Sequence, residues 1–239
     1  MRVVLVPPTE RADIPRGLLQ RSATAVKLAA LLLGAAVGLG CGSHAPEPVP
    51  PPSAPEASIP VPPAPAPRDL AVLDVEGFGE IRFELLGDMA PRAVAHFEKL
   101  AQEDFYDGTT FHRVIPDFMI QGGDPNTKDR DPRNDGLGDA GDTLPDELSR
   151  IGHVRGIVSM ANTGRRNSSS SQFFIVVADS AHLDGKYTVF GRVISGMDVV
   201  DKIVAVERDI YGRWGPPDRP RQNVTVRDVR IEPAAGSGH

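Results

Sequence analysis

Residues 111–123 place one cation and one neutral amide among large apolar side chains. The segment reads Phe-His-Arg-Val-Ile-Pro-Asp-Phe-Met-Ile-Gln-Gly-Gly, with Arg113 as the cation and Gln121 as the amide. Aromatic and small polar residues are again adjacent at 159–163 and 171–175. We find no carboxylate pair, no Cys/His metal spacing and no Ser/His/Asp trio that competes with this pattern. These residue types predict an apolar pocket with one strong hydrogen-bond donor and no nucleophile.

The elements that must position these residues are mostly short strands. Alternation of polar and apolar residues predicts antiparallel strands at 70–75 and 80–85. One helix is predicted to begin at Pro91, with its apolar face at 94–101, and a second helix is predicted at 197–204. Further short strands are predicted at 110–115, 118–121, 156–160, 173–178, 187–194 and 223–231. Many short strands with few helices favour a closed or nearly closed antiparallel barrel capped by two helices.

The first 40 residues predict an export signal. Basic residues precede an apolar run from Leu28 to Leu39; they are Arg11, Arg16, Arg21 and Lys27. A run of this length is short for a membrane span and suits a signal core. It ends before Cys41, the only cysteine in the chain. The segment resembles a bacterial lipoprotein signal, which implies lipidation of Cys41. Plain cleavage near Gly40, leaving a free thiol, and an uncleaved anchor are the alternatives.

Residues 41–67 predict a tether. Of the 22 residues from Pro46 to Pro67, 11 are proline, which excludes regular helix and central strand and favours a polyproline-II spacer. At about 3.1 Å per residue, such a spacer reaches on the order of 70 Å. A proline-rich docking ligand is the alternative interpretation. Residues 68–233 are enough for one domain with a full core, followed by a flexible tail at 234–239.

The chain is acidic. Its net charge is −6, and the segment before Cys41 contributes five Lys/Arg and two Asp/Glu, so the remainder carries −9. This charge argues against nucleic acid as a partner.

The loop at 124–146 is rich in Asp, Gly and Pro. Four of its residues fall near the offsets of a calcium-binding loop: Asp131, Asp135, Gly136 and Asp142. However, Arg133 occupies a ligand position and no bidentate Glu closes the site. A solvated surface loop is therefore the favoured interpretation.

Ordered blocks across residues 69–232 resemble the cyclophilins, a family of peptidyl-prolyl cis-trans isomerases. The blocks are Ala90-Pro91, Tyr106-Asp107-Gly108, Phe111 to Asp124, Ser159 to Asn162, Ser171 to Ile175, Leu183 to Lys186 and Val189 to Val193. The resemblance implies a mainly β fold, an eight-stranded antiparallel closed barrel capped by two α-helices. It also implies catalysis without a covalent intermediate, a metal or a cofactor.

The same resemblance assigns site residues. Arg113, Phe118 and Gln121 match the family's catalytic positions. Matches to its substrate-binding positions are His112, Met119, Ala161, Asn162, Thr163, Phe174, His182, Leu183 and Tyr187. Phe118, Met119, Phe174 and Leu183 are the expected proline pocket. Because successive strand residues face opposite sides, only one of Phe173 and Phe174 can line it.

The expected function is isomerisation of X-Pro bonds in unfolded or secreted chains by a monomeric enzyme. The alternative is a non-catalytic proline-binding module or chaperone with the same fold.

His182 stands where cyclosporin-binding members have tryptophan, and Tyr187 where they often have histidine. Both changes, with the length of loop 164–170, resemble the bacterial branch and imply weak cyclosporin binding. The expected location is the cell envelope, lipid-anchored at the outer membrane or periplasmic face, or else secreted or periplasmic and soluble.

Overall fold

The structure is a computed structural model that describes residues 68–234. The predicted signal segment at 1–40, Cys41 with the tether at 41–67, and the tail beyond residue 234 lie outside the described residues. Ala234, the first residue of that predicted tail, donates its backbone N–H to Asp69 Oδ1 at 2.7 Å. Among the described residues, neither helix has the length and apolar character that a membrane crossing requires.

The described residues contain ten strands and two α-helices. The strands are β1 Leu70–Val75, β2 Gly79–Leu85, β3 Arg113–Ile115, β4 Met119–Gly122, β5 Ile157–Met160, β6 Phe173–Val176, β7 Val189–Ser195, β8 Arg208–Asp209, β9 Arg219–Pro220 and β10 Val226–Glu232, and the helices are α1 Pro91–Gln102 and α2 Met197–Val204. Eight strands form one antiparallel sheet in the order β10-β1-β2-β7-β5-β6-β4-β3, and β8 pairs with β9. Every predicted strand and both predicted helices are present, with small shifts at their ends.

The prediction of a closed barrel is wrong, because the curled sheet is a half-barrel whose edge strands, β3 and β10, share no ladder. Near these edges, the chain before β3 pairs with the start of β10 through an isolated bridge, Thr110 with Thr225, and through backbone hydrogen bonds such as Gly108 N–H to Val226 O at 2.8 Å. The open edge of β3 is instead covered by the β8–β9 hairpin, since Val114 N–H donates to Asp218 O at 2.9 Å. This hairpin has no alternation of polar and apolar residues and was not predicted.

The inner face of the sheet and both helices share the main core. Phe97 of α1 lies 5.6 Å from Phe83 and 5.3 Å from Phe190, between ring centroids. Val200 and Ile203 of α2 are fully buried in the same cluster. Helix α1 begins at a proline, as predicted, and its free N–H groups at Arg92 and Ala93 are capped by the Glu147 carboxylate, at 3.1 and 2.9 Å.

Candidate functional site

Arg113 belongs to a row of side chains that crosses four strands. Arg113 lies opposite Gln121, Gln121 opposite Phe174, and Phe174 opposite Ser159. Directly opposed residues in antiparallel strands project from the same face, so these side chains share the outer face of the sheet. The register therefore places the predicted cation, the predicted amide and one predicted pocket aromatic in contact range.

A second apolar cluster, here called the outer-face cluster, occupies that side. Its buried members are Leu86, Phe118, Met119, Ile157, Ala161, Phe174, Val176, Leu183, Tyr187 and Val189. Phe174 meets Tyr187 edge-on, with ring centroids 5.4 Å apart, and the exposed His182 lies over Phe118 at 5.3 Å. All four residues of the predicted proline pocket are in this cluster. Phe173 points into the main core instead, as strand alternation predicted.

Three side-chain amide contacts run from Arg113 to the loop that follows β4. Arg113 Nη1 lies 3.5 Å from Gln121 Oε1, at the outer limit of a hydrogen bond. Gln121 Nε2 donates to Gln172 Oε1, and Gln172 Nε2 donates to the Gly138 carbonyl, both at 2.8 Å. Gln172 was not among the predicted site residues, although it lies in the 171–175 block. Because Gln172 accepts from the Gln121 Nε2–H, it fixes the orientation of the Gln121 amide. The amide oxygen, which can only accept, therefore faces the Arg113 guanidinium.

The residues after β5 form a loop tied by its own polar groups. Ala161 N–H donates to Gln172 O at 2.8 Å. The Asn162 side chain donates to Lys186 O at 3.2 Å and accepts from Gly164 N–H at 2.9 Å. The Thr163 hydroxyl lies 2.9 Å from Ser168 Oγ. Asn162 therefore joins its own loop to the segment that carries Leu183 and Tyr187, and a bound peptide would meet a rigid edge.

The His112 ring is buried under the loop that follows β4. It is 2 % exposed, and a Cβ atom at position 136 would lie 3.7 Å from the ring. Burial, assisted by the charge of Arg113, lowers the pKa of His112 to about 3. The imidazole is therefore neutral at physiological pH and leaves Arg113 as the cation at this position.

Acid is expected to destabilise the domain through His112. The pKa is about 3 in the folded protein and about 6.5 in an unfolded chain. The unfolded state therefore binds the proton first, and stability that is present above pH 6.5 is lost as the pH falls toward 3. Between pH 7 and pH 5 this group alone removes about 2 kcal/mol.

Urea unfolding of the parent protein and of His112→Gln at both pH values measures this contribution. The parent should lose about 2 kcal/mol more than the variant between pH 7 and pH 5. All other titrating groups, including the buried His153, are present in both proteins and cancel in the difference. Equal losses would show that His112 can take up a proton in the folded state.

A Ser/His/Asp trio is present in the structure, although the sequence did not reveal one. His153 Nδ1 lies 2.9 Å from Asp184 Oδ1, and Ser159 Oγ lies 3.1 Å from His153 Nε2. Ser159 is fully buried, and its hydroxyl is paired with His153 within the fold. Burial lowers the pKa of His153, although Asp184 opposes the shift, and the neutral ring donates to Asp184 and accepts from Ser159.

The position of His153 gives this trio a structural role. The ring is stacked behind Phe174, with centroids 6.1 Å apart and an interplanar angle of 17°. Asp184 directly follows Leu183, and its Oδ1 also accepts from the His153 backbone N–H at 2.8 Å. The trio therefore holds Phe174 and Leu183, two members of the predicted proline pocket, at a fixed separation.

The Asp-rich loop at 124–146 uses its carboxylates for internal contacts. Asp124 is fully buried and accepts from the backbone N–H groups of Asn126, at 2.8 Å, and of Gly136. Asp131 pairs with Arg133, and Asp135 with Arg219. Within residues 68–234, no group of three or more His, Cys, Asp or Glu side chains is arranged to hold a metal ion. Asp131 and Asp135, two of the residues near calcium-loop offsets, are thus occupied by arginine partners, which favours the surface-loop interpretation over a calcium site.

Comparison with known proteins gives consistent matches. Residues 70–231 match the family model described as cyclophilin type peptidyl-prolyl cis-trans isomerase/CLD. The chain is 47% identical over 137 residues to a peptidyl-prolyl cis-trans isomerase of Schizosaccharomyces pombe, covering 56% of this chain and 85% of that protein. It is 44% identical over 146 residues to a probable peptidyl-prolyl cis-trans isomerase of Brucella suis, covering 59% and 74%.

Solved structures agree with these sequence matches. A cyclophilin type peptidyl-prolyl cis-trans isomerase of Cryptosporidium parvum superposes with a TM-score of 0.62 and 28% identity, over 70% of this chain and 99% of that one. A second crystal structure of that protein, in the presence of the dipeptide Ala-Pro, gives a TM-score of 0.60 at 28% identity, over 68% and 98%.

Proposed function

This chain belongs to the cyclophilin-type peptidyl-prolyl cis-trans isomerases, and from that premise we propose that Arg113 is its catalytic group. The observation that carries the proposal is the row Arg113–Gln121–Phe174, which sets one guanidinium beside the outer-face cluster. Rotation about a peptide bond faces a barrier of ~18–20 kcal/mol, because twisting destroys amide resonance. At X-Pro bonds the two isomers differ by only about 1 kcal/mol, yet they exchange over tens of seconds or longer.

The chemistry requires only that the enzyme bind the twisted amide better than either planar form. A twisted proline nitrogen becomes pyramidal and regains a lone pair, to which the Arg113 guanidinium can donate. The planar amide cannot accept this hydrogen bond, so the interaction favours the transition state alone. Arginine also stays protonated in an apolar site, whereas a buried lysine can lose its proton.

The apolar pocket supplies the remaining stabilisation. An acceleration of about 10⁵ requires roughly 7 kcal/mol, and one charge-assisted hydrogen bond contributes about 1.5–3 kcal/mol. Phe118, Met119, Phe174 and Leu183 bind the proline ring and exclude water, which strengthens the interaction with Arg113. Gln121, oriented by Gln172, and the edge formed by Ala161, Asn162 and Thr163 hold the peptide backbone.

An isomerisation assay on a short X-Pro peptide tests this function. Turnover well above the rate in buffer is expected for the parent protein. A chain that binds the peptide but turns it over no faster than buffer would be the alternative, a proline-binding module or chaperone with this fold. The presence of both Arg113 and Phe118 favours the enzyme.

The rim of the pocket supports a narrower assignment within the family. Exposed His182 covers Phe118 at 5.3 Å, where cyclosporin-binding members present a larger indole. We infer weak cyclosporin binding, and we propose, from Tyr187 and the length of loop 164–170, that the chain belongs to the bacterial branch. Proline-containing polypeptides, either unfolded or secreted, are the proposed substrates of a monomer.

The proposed location is the cell envelope, with the domain held by a lipid on Cys41 and a proline-rich spacer. The basic residues, the short apolar run and the lone cysteine support this location. Gly42 follows the cysteine, where some bacteria use Asp to retain lipoproteins at the inner membrane, and this favours the outer membrane.

Cells that express the full chain are expected to incorporate a radioactive fatty acid into it. Cys41→Ser should remove the label completely, because the chain has no other cysteine. The matched control is the total amount of each protein, which should be similar. An unlabelled parent protein would refute lipidation, and its mass would then separate a cleaved secreted form from an uncleaved anchor.

A further inference from the structure

A cavity of about 690 Å³ lies outside the proline pocket, between the loop at 132–137 and the loop of the β8–β9 hairpin. Its apolar lining consists of Trp214, Leu137 and three prolines, and its charged groups are the guanidinium groups of Arg133 and Arg213 and the carboxylate of Asp135. Its volume is within the range of about 300–1,000 Å³ that is typical of ligand sites. The proposed isomerase chemistry assigns nothing to it.

The hairpin loop that forms one wall is ordered by a buried carboxylate. Asp209 Oδ2 accepts from Trp214 N–H at 2.8 Å, and Oδ1 accepts from Tyr211 N–H at 3.3 Å. Burial by itself raises the pKa of Asp209, but these and neighbouring backbone N–H groups hold the pKa below its ordinary value. The loop therefore presents its aromatic residues from a fixed backbone.

Those aromatic residues are unusually exposed. Trp214 is 57 % exposed, Tyr211 is 73 % exposed, and Leu137 on the facing loop is 41 % exposed. The Arg221 guanidinium lies 5.3 Å from the Trp214 ring centroid and also pairs with Glu207. Clustered exposed apolar groups beside a cavity mark binding surfaces more often than isolated ones do, and rigid tryptophan side chains are favoured anchors at such surfaces.

The hairpin that lines the cavity is hydrogen-bonded to β3, the strand that carries Arg113. Pro217 of its wall precedes Asp218, whose carbonyl accepts from Val114 N–H at 2.9 Å. Arg113 directly precedes Val114, and its charge acts on the Asp218 carboxylate, whose pKa burial raises and Arg113 opposes. An extended chain advances about 3.3 Å per residue, so we expect a side chain a few residues from a bound X-Pro bond to reach the cavity.

We propose that this cavity binds an apolar or aromatic side chain of the polypeptide substrate, a few residues away from the proline that occupies the pocket at Arg113. The inference rests on the proposed function and gives it a substrate class: extended chains with exposed apolar residues near proline, as unfolded proteins present. Extended proline-containing segments dock on aromatic-lined grooves in other peptide-binding domains. A short peptide reaches the proline pocket but not the cavity.

Trp214 provides a direct readout, because it is the only tryptophan in the chain. The probes are a four-residue X-Pro peptide and ten-residue peptides with Phe placed three residues before or after the proline. Matched ten-residue peptides carry Ser in place of Phe. One of the Phe peptides should change the Trp214 emission at saturation, while its Ser counterpart and the short peptide should not, and the responding peptide reveals the direction of the chain.

Kinetics of Trp214→Ala supply the second arm. The ratio of KM for the responding peptide to KM for the short peptide should rise about five- to tenfold, as expected for loss of an anchoring aromatic. Ile194→Ala, which truncates another exposed apolar side chain, on β7, should leave the ratio unchanged.

The outcomes separate the two proposals. An unchanged ratio in Trp214→Ala, or equal emission changes with Phe and Ser peptides, would overturn the cavity assignment. Emission that depends on protein concentration without peptide would also overturn it, because the cavity would then be closed by a second copy. Failure of the parent to turn over any peptide would refute the proposed function, whereas the Trp214 titration would still report on the cavity.

Discussion

Arg113→Ala is expected to lower kcat/KM for a short X-Pro peptide by about a hundred- to a thousandfold, the usual effect of removing one preorganised donor to a transition state. The guanidinium is half-buried beside the outer-face cluster, where the low local dielectric strengthens its hydrogen bond to the twisted amide nitrogen. The effect should appear mainly in kcat, because the planar ground state cannot accept this hydrogen bond.

Two variants give this measurement its controls. Arg192→Ala removes an exposed arginine of β7 that pairs with Glu84 at 3.1 Å, and it should retain the parent activity. Arg113→Lys keeps the charge but loses the planar fork, so its activity should lie between those of the parent and of Arg113→Ala. Arg113→Ala should unfold near the parent's urea midpoint. If Arg113→Ala kept more than about a tenth of the parent's kcat/KM, Arg113 would be excluded from the mechanism.

Local patterns were sufficient to predict the strands and helices that carry the site. Period-two alternation identified the strands and predicted that Phe173 and Phe174 lie on opposite faces. The family resemblance assigned Phe174 to the pocket, and Phe174 lies on the outer face while Phe173 lies in the main core. The helix α2 was predicted with its observed bounds, since its apolar residues recur at helical spacing. These features depend on residues that are close together in the chain, so they can be recognised from one sequence alone.

Features that depend on contacts between residues far apart in the sequence were not predictable. Whether the barrel closes depends on what covers the edge of β3, and the covering residue, Asp218, lies more than a hundred positions away in a hairpin without alternation. The trio of Ser159, His153 and Asp184 joins three segments whose spacing matches no motif. Gln172 resembles an ordinary polar residue before a strand, and only its side-chain hydrogen bond in the folded chain shows that it orients Gln121.

The loop at 124–146 shows the same limit. Its composition suggested either calcium binding or a solvated loop, whereas Asp124 is fully buried and organises the backbone. A Cβ atom at position 138 would lie 2.2 Å from Asp124 Oδ1, so glycine is required there for packing. The Gly138 carbonyl in turn accepts from Gln172, which links the loop to the amides beside Arg113.

Phe173 and Phe174 offer a matched test of which face of β6 does the binding. Both side chains are almost fully buried, and replacing either with leucine should cost about 1–2 kcal/mol of stability. Phe173 packs edge-on against Phe97 and Tyr106 in the main core, at 5.7 and 5.8 Å. Phe174 lies between His153 and Tyr187 on the outer face, at 6.1 and 5.4 Å.

Only Phe174→Leu is expected to impair binding of proline. Its kcat/KM for the short peptide should fall about tenfold, the size of effect that follows a change in the shape of an apolar pocket. Phe173→Leu should stay within about twofold of the parent, because the loss of stability alone does not alter the pocket of the folded molecules. The comparison requires conditions in which both variants are fully folded. Equal losses of activity would place the proline on neither face specifically, and a larger loss for Phe173→Leu would move the site to the inside of the sheet.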